Sequence, residues 1–285
     1  MRRITPFVSL ALVLALGCYT DDTGVPTDSR PLGPTVTVRL TDDPFPFDSV
    51  ASVNIYIDSI EASPAADTLS GGTYVTIASP HRAFNLLALQ QGVADSLGAG
   101  ALKVGQYKSF RLTMDVDSSS ILWSGGIPMS VQWGSTGRIQ LNVVIEPVFS
   151  VGDSGADLVL DFDVARSFPF NQLGHREFDF FPTLRAVNNA EAGSIEGTVT
   201  DTLSPGSPQP LANANVEVIP LSTGATLATG RTDASGHYKV AFLPADTYQV
   251  RVVQPLIPAL DTTVVSNVQV TKLQATTVPV VMTTH

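Results

Sequence analysis

The chain has 285 residues and one cysteine, and its 26 acidic residues outnumber its 16 basic residues to give a net charge of −10. An acidic chain repels nucleic acid, so we expect no nucleic-acid partner. The length suits about two domains, each large enough to bury a core. A single cysteine cannot form an intrachain disulfide, so these cores must hold the fold by themselves.

The N-terminus has the layout of a secretory signal. The apolar run Ile4–Leu16 follows Arg2-Arg3 and ends two residues before Cys18. This run is shorter than the roughly 20 apolar residues that span a bilayer. The segment Leu14–Cys18 resembles a bacterial lipoprotein signal, which implies cleavage before Cys18 and lipidation of its sulfur and new amine. A buried free thiol, or a lone cysteine near an ordinary cleavage site, is the alternative.

The same resemblance implies a location and a membrane partner. It places the protein in the bacterial cell envelope, attached to a membrane through N-terminal lipid. The residue after the cysteine, Tyr19, is not Asp, and in lipoproteins of this kind that implies the outer membrane, facing the periplasm or the surface. We therefore expect a signal peptide in residues 1–17. Residues 18–34 are rich in Pro, Gly, Asp and Thr and are predicted to be a lipidated N-terminus and flexible tether.

Residues 35–189 are predicted to form a β-rich first domain. Alternating apolar residues, typical of half-buried strands, occur at Val36-Val38-Leu40, Val53-Ile55-Ile57, Phe110-Leu112-Met114-Val116, Ile139-Leu141-Val143-Ile145, Leu158-Leu160-Phe162-Val164 and Thr183–Val187. One segment, Leu86-Leu87-Gln90-Val93-Leu97, has spacing nearer to a helical period. We expect an antiparallel sandwich or barrel with one short helix.

Residues 194–285 are predicted to form a second, smaller domain without helices. Its predicted strands are Ile195–Val199, Val216–Ile219, Thr226–Thr232, His237–Phe242, Tyr248–Val253, Thr262–Val265 and Thr276–Met282. The size fits one small sandwich. The fold class that follows is mainly β, with two antiparallel β-sandwich-like domains.

The two domains share a tyrosine turn. Gly105 and Tyr107 open a strand in the first domain, and Tyr248 opens one in the second. A tyrosine ring can cover the end of a sandwich while its hydroxyl group satisfies a backbone group of the turn. We interpret these residues as structural.

Two further resemblances concern the domains themselves. Gly197–Asp201, Pro210–Val218, Thr232–Tyr238 and Leu243–Tyr248 together resemble the carboxypeptidase regulatory-like (transthyretin-like) sandwich, a family of accessory modules. Within that pattern Asp233 can accept backbone donors of a hairpin turn and Gly236 can adopt a positive φ.

The first domain resembles a family of bacterial envelope domains of unknown function. The residues that carry this resemblance are Leu40–Pro44, Tyr107 and Leu160–Ser167. The resemblance implies a fold and a location but no reaction and no ligand.

One cluster of charged residues is a candidate for chemistry. Asp157, Asp161 and Asp163 alternate on one strand face, and Arg166 follows. Alternate carboxylates can ligate calcium, or act as an acid and a base if burial separates their pKa values. The structural alternative is a set of Asp–Arg ion pairs, with Arg111 or Arg185 as further partners.

Other signals of catalysis are missing from the sequence. None of the four histidines begins a His-x-x-Glu pair, and neither a nucleophile elbow nor a phosphate loop occurs. We expect no catalytic residue, no catalytic zinc site and no cofactor. The tryptophans and the phenylalanines from 168 to 181 can form a sugar-stacking platform or fill a core.

These observations predict a non-catalytic, lipid-anchored envelope lipoprotein that acts as a binding or assembly module. The partner is an envelope protein or a glycan, and the sequence leaves the oligomeric state open. The alternatives are a carbohydrate-binding surface lipoprotein and an envelope hydrolase that uses Asp161 and Asp163.

Overall fold

The computed structural model describes residues 33–44, 49–64, 73–171, 177–203 and 208–284, without the side chains of residues 144, 146 and 147. The predicted signal peptide, the predicted lipidation site Cys18 and the predicted tether up to residue 32 lie outside the described residues. The chain from Pro31 to His285 forms one compact unit. No helix of the described residues is long and apolar enough to cross a membrane.

The first domain is built from short and long strands whose apolar side chains alternate. Its strands are β1 (Thr35–Asp42), β2 (Val50–Ser63), β3 (Val75–Ala78), β4 (Arg82–Asn85), β5 (Asp95–Ala101), β6 (Gly105–Trp123), β7 (Ile127–Met129), β8 (Val131–Gln132), β9 (Arg138–Val151), β10 (Ala156–Phe162), β11 (Phe170–Asn171), β12 (Glu177–Asp179) and β13 (Leu184–Asn188). Val36, Val38 and Leu40 on β1 are fully buried, as their period of two predicts.

These strands form three sheets. One has the order β13-β10-β1-β5, a second the order β3-β2-β6-β7 with β4 on β2 and β9 on β6, and a third the order β11-β12-β8. The strands β1 and β10 are parallel, with Leu40 beside Leu160 and Thr41 beside Asp161. A parallel neighbour so far along the chain needs a long crossover, and β2 to β9 form it here.

The predicted helix is in the wrong place. Only Leu86–Ala88 of that segment is helical, as a single 3-10 turn, and Leu97 lies on β5, which runs beside β1. Gly100 permits this strand because a Cβ there would meet the carbonyl oxygen of Ile77 at 2.4 Å. The α-helix of the described residues is α1 (Val164–Ser167), where the alternating pattern predicts a strand that continues to Val164.

The second domain contains only strands among its described residues. They are β14 (Ala192–Asp201), β15 (Gln209–Pro210), β16 (Asn215–Pro220), β17 (Ala228–Arg231), β18 (His237–Pro244), β19 (Asp246–Val253), β20 (Thr263–Val270), β21 (Ala275–Thr277) and β22 (Val280–Met282). One sheet has the order β15-β14-β18 with β21 and β22 on β14, and the other the order β17-β16-β19-β20.

The mainly β fold class with its short helix is confirmed, but the sheets are mixed. Parallel pairs join β1 to β10, β8 to β12, and β14 to both β21 and β22. The expectation of antiparallel sheets is wrong at these pairs, which join strands that are distant in sequence and that no hairpin connects.

Each domain has its own apolar core, and a small third cluster lies between the two. This third cluster consists of Val159, Val187 and Ala192, with Phe242 packed against it. Leu158 and Leu160 point into the first core. Val159 lies between them and Val187 is its partner on β13, so both valines point away from that core. The outer face of the sheet with β10 and β13 therefore packs against the second domain.

Candidate functional site at the domain junction

The candidate charged residues lie mainly where the two domains meet. Six charged side chains of the first domain lie at this junction: Asp42, Asp43, Asp161, Asp163, Arg166 and Arg185. Among the described residues, these side chains make five hydrogen bonds to backbone groups of the second domain. We call this set the junction cluster.

Strand register brings Asp161 and Arg185 together. They are direct partners across β10 and β13 and form an ion pair that is almost completely buried. The guanidinium group also donates to the second domain, from Nη1 to the carbonyl oxygen of Phe242 at 2.6 Å and from Nη2 to that of Ala241 at 3.3 Å. Arg185 therefore joins a carboxylate of one domain to the β18 backbone of the other.

Asp163 and Arg166 act at the short helix α1. Asp163 is its N-cap, and its Oδ1 accepts from the backbone N–H of Arg166 at 2.9 Å. Its Oδ2 pairs with the Arg166 Nε. The Arg166 Nη1 and Nη2 donate to the carbonyl oxygens of Thr226 at 3.1 Å and Leu227 at 3.2 Å.

Asp42 is the last residue of β1, the parallel partner of β10, and Asp43 follows it. Asp42 Oδ1 accepts from the backbone N–H of Val164 at 3.0 Å, so a second carboxyl group caps α1. Asp43 Oδ2 accepts from the backbone N–H of Thr229 at 2.8 Å. Thr229 lies on β17, an edge strand. Arg166 binds the carbonyl oxygens of Thr226 and Leu227, the two residues that precede this strand. The junction cluster thus covers an edge that would otherwise be open to pairing.

The junction cluster has more acid than base. Four carboxyl groups face two guanidinium groups, and two buried oxygens, Asp42 Oδ2 and Asp161 Oδ1, have no hydrogen-bond partner among the described residues. Asp42 and Asp161 line a small cavity of about 10 Å³. Lys239 also lines this cavity, but its Nζ pairs with Glu196 at 3.7 Å. A cavity of this volume holds no more than about one water molecule.

Burial and mutual repulsion raise the pKa values of three of these acids, Asp42, Asp43 and Asp161. Burial raises the pKa of Asp42 well above its ordinary value, and the charges of Asp161 and Asp43 raise it further. Burial and the charge of Asp161 also raise the pKa of Asp43. Burial raises the pKa of Asp161 although Arg185 opposes this. The cluster therefore binds protons at a pH where an exposed aspartate has lost them.

The structure does not bring Asp157 to this cluster. Asp157 lies four residues before Asp161 on β10, about 13 Å away along an extended strand. Its carboxylate accepts from Thr37 Oγ1 at 2.7 Å, Asn189 Nδ2 at 2.9 Å and Arg39 Nε at 3.0 Å. Burial raises the pKa of Asp157, but these hydrogen bonds outweigh it and lower the pKa below its ordinary value.

Two further expectations concern Arg111 as an ion-pair partner and the possible metal ligands. Arg111 pairs with Glu61 and not with an aspartate of β10. Among the residues that the structure describes, no group of three or more His, Cys, Asp or Glu side chains can hold a metal ion. His175 lies outside those residues.

The aromatic residues are mostly packed inside the first domain. The Trp133 ring contacts Phe168 and Phe180 edge-on, with ring centroids 5.7 and 5.1 Å apart, and Phe168 and Phe178 are fully buried. Only Phe181 of the predicted platform is largely exposed, at 63%. This packing is that of a core.

The turn residues occupy matching positions in the two domains. The Tyr107 hydroxyl donates to the carbonyl oxygen of Lys103 at 3.1 Å, and the Tyr248 hydroxyl donates to that of Pro244 at 2.7 Å. Each bond reaches back four residues, and Gly105 has a positive φ of 152°. Asp233 Oδ1 accepts from the backbone N–H groups of Ser235 and His237 at 2.8 and 3.0 Å, and the φ of Gly236 is 75°.

A cleft of about 570 Å³ also opens between the two domains. The first domain lines it with Ile145, Val148 and Phe149 of β9, and with Ala186, Val187 and Asn188 of β13. Tyr248 and two prolines are among the residues on the opposite wall, and Lys272 and Glu191, which form an ion pair, also line the cleft. This is the size of a ligand or peptide site. Periodicity could not predict it because it lies between domains.

Comparison with known families places the chain in a class of β-domain proteins. Residues 34–177 match the family described as Domain of unknown function (DUF4382), and residues 194–283 match the Carboxypeptidase regulatory-like domain. The first match covers just over half of the chain, so the chain belongs to the DUF4382 family. Both domain resemblances predicted from sequence motifs are confirmed. Arg185 lies between the two matches, in neither.

Solved structures give weaker likenesses. The Bacillus anthracis TIE protein is 13% identical with a TM-score of 0.26, and covers 88% of this chain and 34% of its own. The minor pilin GBS52 of Streptococcus agalactiae is 11% identical with a TM-score of 0.28, covering 89% and 97%. The shaft pilin SpaA of Lactobacillus rhamnosus GG is 9% identical with a TM-score of 0.25, covering 88% and 98%.

These TM-scores are too low to carry an argument about fold or function. The chain spans about a third of the length of the first of these proteins. No curated protein matches the chain.

Proposed function

We propose that this protein is a lipid-anchored, non-catalytic module of the bacterial cell envelope, in which two joined β-domains bind or assemble with other envelope components. The observation that carries the proposal is the use of the charged residues Asp161, Asp163 and Arg166. The two acids are buried in ion pairs, and the arginines of those pairs hold the second domain. Such groups support a fixed relation between domains.

The same geometry argues against the hydrolase alternative. A general acid or base must come within hydrogen-bond reach of a substrate proton. Asp161 is 2% exposed and paired with Arg185, and Asp163 is 3% exposed and caps a helix. Activity-based profiling of the wild type, Asp161→Asn and Asp163→Asn tests this. A hydrolase activity that is abolished in both folded variants would contradict the proposal.

Anchoring is tested through Cys18. The intact mass of membrane-extracted protein should correspond to a chain that begins at Cys18 and carries added lipid. Cys18→Ser should move the protein from the membrane to the soluble fraction, because several acyl chains are needed for stable anchoring. Tyr19→Phe, one residue along, is the matched control and should stay with the membrane. A mature mass without lipid would overturn this part of the proposal.

A glycan array separates the two kinds of partner. Binding that is lost in Phe181→Ala, the replacement of an exposed aromatic side chain, would favour the carbohydrate-binding alternative. Equal, flat signals for wild type and variant would support a protein partner.

A further inference from the structure

The small cavity at the junction cluster is walled by both domains. The first domain contributes three acids, Asp42, Asp43 and Asp161, and the second contributes residues 239–242 of β18. Two oxygens here, Asp42 Oδ2 and Asp161 Oδ1, are buried without a hydrogen-bond partner among the described residues. An ionised oxygen in such a place is costly, because burial removes the water that would hydrate it. Movement of β18 away from the first domain would let water reach the cavity.

Asp42 is an acid of the junction cluster whose charge is not balanced. Asp161 and Asp163 each pair with an arginine. Asp42 takes part in none of the ion pairs among the described residues, and the donor to its side chain there is a backbone N–H, that of Val164. An ionised Asp42 therefore adds a buried negative charge that no cation of the cluster compensates. A protonated Asp42 adds no charge.

Negative charge predominates around Asp42. Burial raises the pKa of Asp42. The charges of Asp161, Asp43 and Asp163 raise that pKa further, and a backbone hydrogen bond opposes them. The charged side chains of the elements packed around Asp42 are Asp43, Asp95, Asp161, Asp163, Arg166, Arg185 and Lys239. Each of the three cations in this set already pairs with another acid.

We infer that the second domain is a pH-dependent cover of the junction cluster, closed while Asp42 carries a proton and loosened when Asp42 ionises. The closed junction binds this proton more tightly than the open junction, where water hydrates the carboxylate. Closure is therefore favoured most below the ordinary aspartate pKa of about 3.9, and this advantage is lost as the pH rises through the raised pKa of the closed state. Between those two values, release of the proton shifts the equilibrium towards the open state about tenfold per pH unit.

One backbone amide reports directly on closure. The N–H of Thr229 donates to Asp43 Oδ2 at 2.8 Å across the junction, so its exchange with solvent requires the junction to open. Val218 provides the internal comparison, because it is fully buried on β16 and lies between β17 and β19. Its amide exchanges only when the second domain itself opens.

Hydrogen exchange of the purified full chain at pH 5 and pH 8 tests the inference, with every rate divided by the intrinsic rate of an unstructured amide at that pH. In the wild type, we expect the corrected rate of Thr229 to be at least about tenfold higher at pH 8 than at pH 5. The corrected rate of Val218 should change less. Asp42→Asn cannot ionise but retains a side-chain oxygen that can accept from the Val164 N–H, so it should abolish the rise at Thr229.

Asp153→Asn is the matched control. Asp153 is exposed in the turn before β10, so this variant changes the net charge equally and should keep the pH response of the wild type. Equal corrected rates of Thr229 at the two pH values, an equal rise at Thr229 and Val218, or the same rise in Asp42→Asn would each overturn the inference. The first two outcomes require only the wild type, so the test does not depend on the folding of a variant.

Discussion

The same two domains meet in two unlike ways, at the junction cluster and at the cleft. The junction cluster is polar, and its arginines and aspartates bind backbone groups of the second domain. The cleft is open and mainly apolar, and residues of β9 and β13 form the wall that the first domain contributes. Arg185 and Val187 are two residues apart on that strand. The difference teaches that a small set of buried charges can fix two domains while an apolar seam beside them stays accessible.

We expect the largest loss of stability at the junction from the substitution Arg185→Met. The substitution leaves Asp161 buried without its cation, so we expect a loss of about 3–5 kcal/mol in the free energy of unfolding. Urea denaturation measures it. The matched control is Arg138→Met, since Arg138 is 65% exposed in its ion pair with Asp58 and should contribute less than about 1 kcal/mol. Equal losses in the two variants would show that the junction pair does not hold the domains.

Hydrogen exchange sharpens the same test. If Arg185 joins the domains, Arg185→Met should speed exchange at Phe242 and its neighbours on β18 more than in the core of the first domain. Faster exchange spread evenly over the chain would indicate a general loss of stability instead.

The strands could be predicted from the sequence because each has its own alternating pattern. Val36, Val38 and Leu40 show this, as does the buried row Leu158, Leu160 and Phe162. The helix prediction failed because Leu86–Leu97 mixes a 3-10 turn with a strand whose glycines fit against a neighbour. The spacing of apolar residues within one segment does not show which other strand packs against it.

The junction cluster could be predicted only in part. The sequence pointed to Asp161, Asp163 and Arg166, and it proposed Arg185 as a further partner. It missed Asp42 and Asp43 as members because their closeness to Asp161 depends on the parallel pairing of β1 with β10. It missed the second domain's part because the groups bound there are backbone atoms. Two acidic motifs at the ends of two apolar strands were the available signal.

A glycine at the junction provides the second test. Gly92 has φ 82°, and a Cβ there would lie 2.9 Å from the Cβ of Ala241 on β18, whereas Gly125 has φ 86° and open space around it. Replacement by Ala costs each about 1–2 kcal/mol for the left-handed backbone. Gly92→Ala should lose about 1–3 kcal/mol more, from crowding against the second domain. Similar losses in urea denaturation would place the second domain farther away.

The excess of acid at the junction predicts a pH dependence. Because the pKa of Asp42 is raised in the folded state, its protonation stabilises the fold. That contribution is complete below the ordinary pKa of about 3.9, and it is lost as the pH rises through the pKa of the folded state. The charges of Asp161, Asp43 and Asp163 act on this group, and the backbone N–H of Val164 donates to it. Asp42→Asn should therefore be more stable than the wild type at pH 8, by an amount that shrinks towards pH 4, and urea denaturation at the two pH values measures the difference.

The control for this pH dependence has the opposite sign. The pKa of Asp157 is lowered, so its contribution is present above the ordinary pKa and is lost as the pH falls through the pKa of the folded state. Asp157→Asn should thus be less stable than the wild type at pH 8. If Asp42→Asn were also destabilised at pH 8, Asp42 would be ionised in the folded protein and the junction would hold its full negative charge.

The smallest expected effect is a loss of stability on removing the hydroxyl group of Tyr248, a tyrosine that lines the cleft, compared with that of Tyr56, a tyrosine at the surface. Tyr248→Phe removes a hydroxyl bonded to the carbonyl oxygen of Pro244, and burial raises the pKa of that hydroxyl to about 12. We expect a loss of about 1 kcal/mol, because the carbonyl is left without its donor. Tyr56→Phe is the control, since its hydroxyl bonds the carbonyl oxygen of His81 at 2.8 Å in an exposed position, where water can replace it. Equal losses in urea denaturation of the two variants would contradict this expectation.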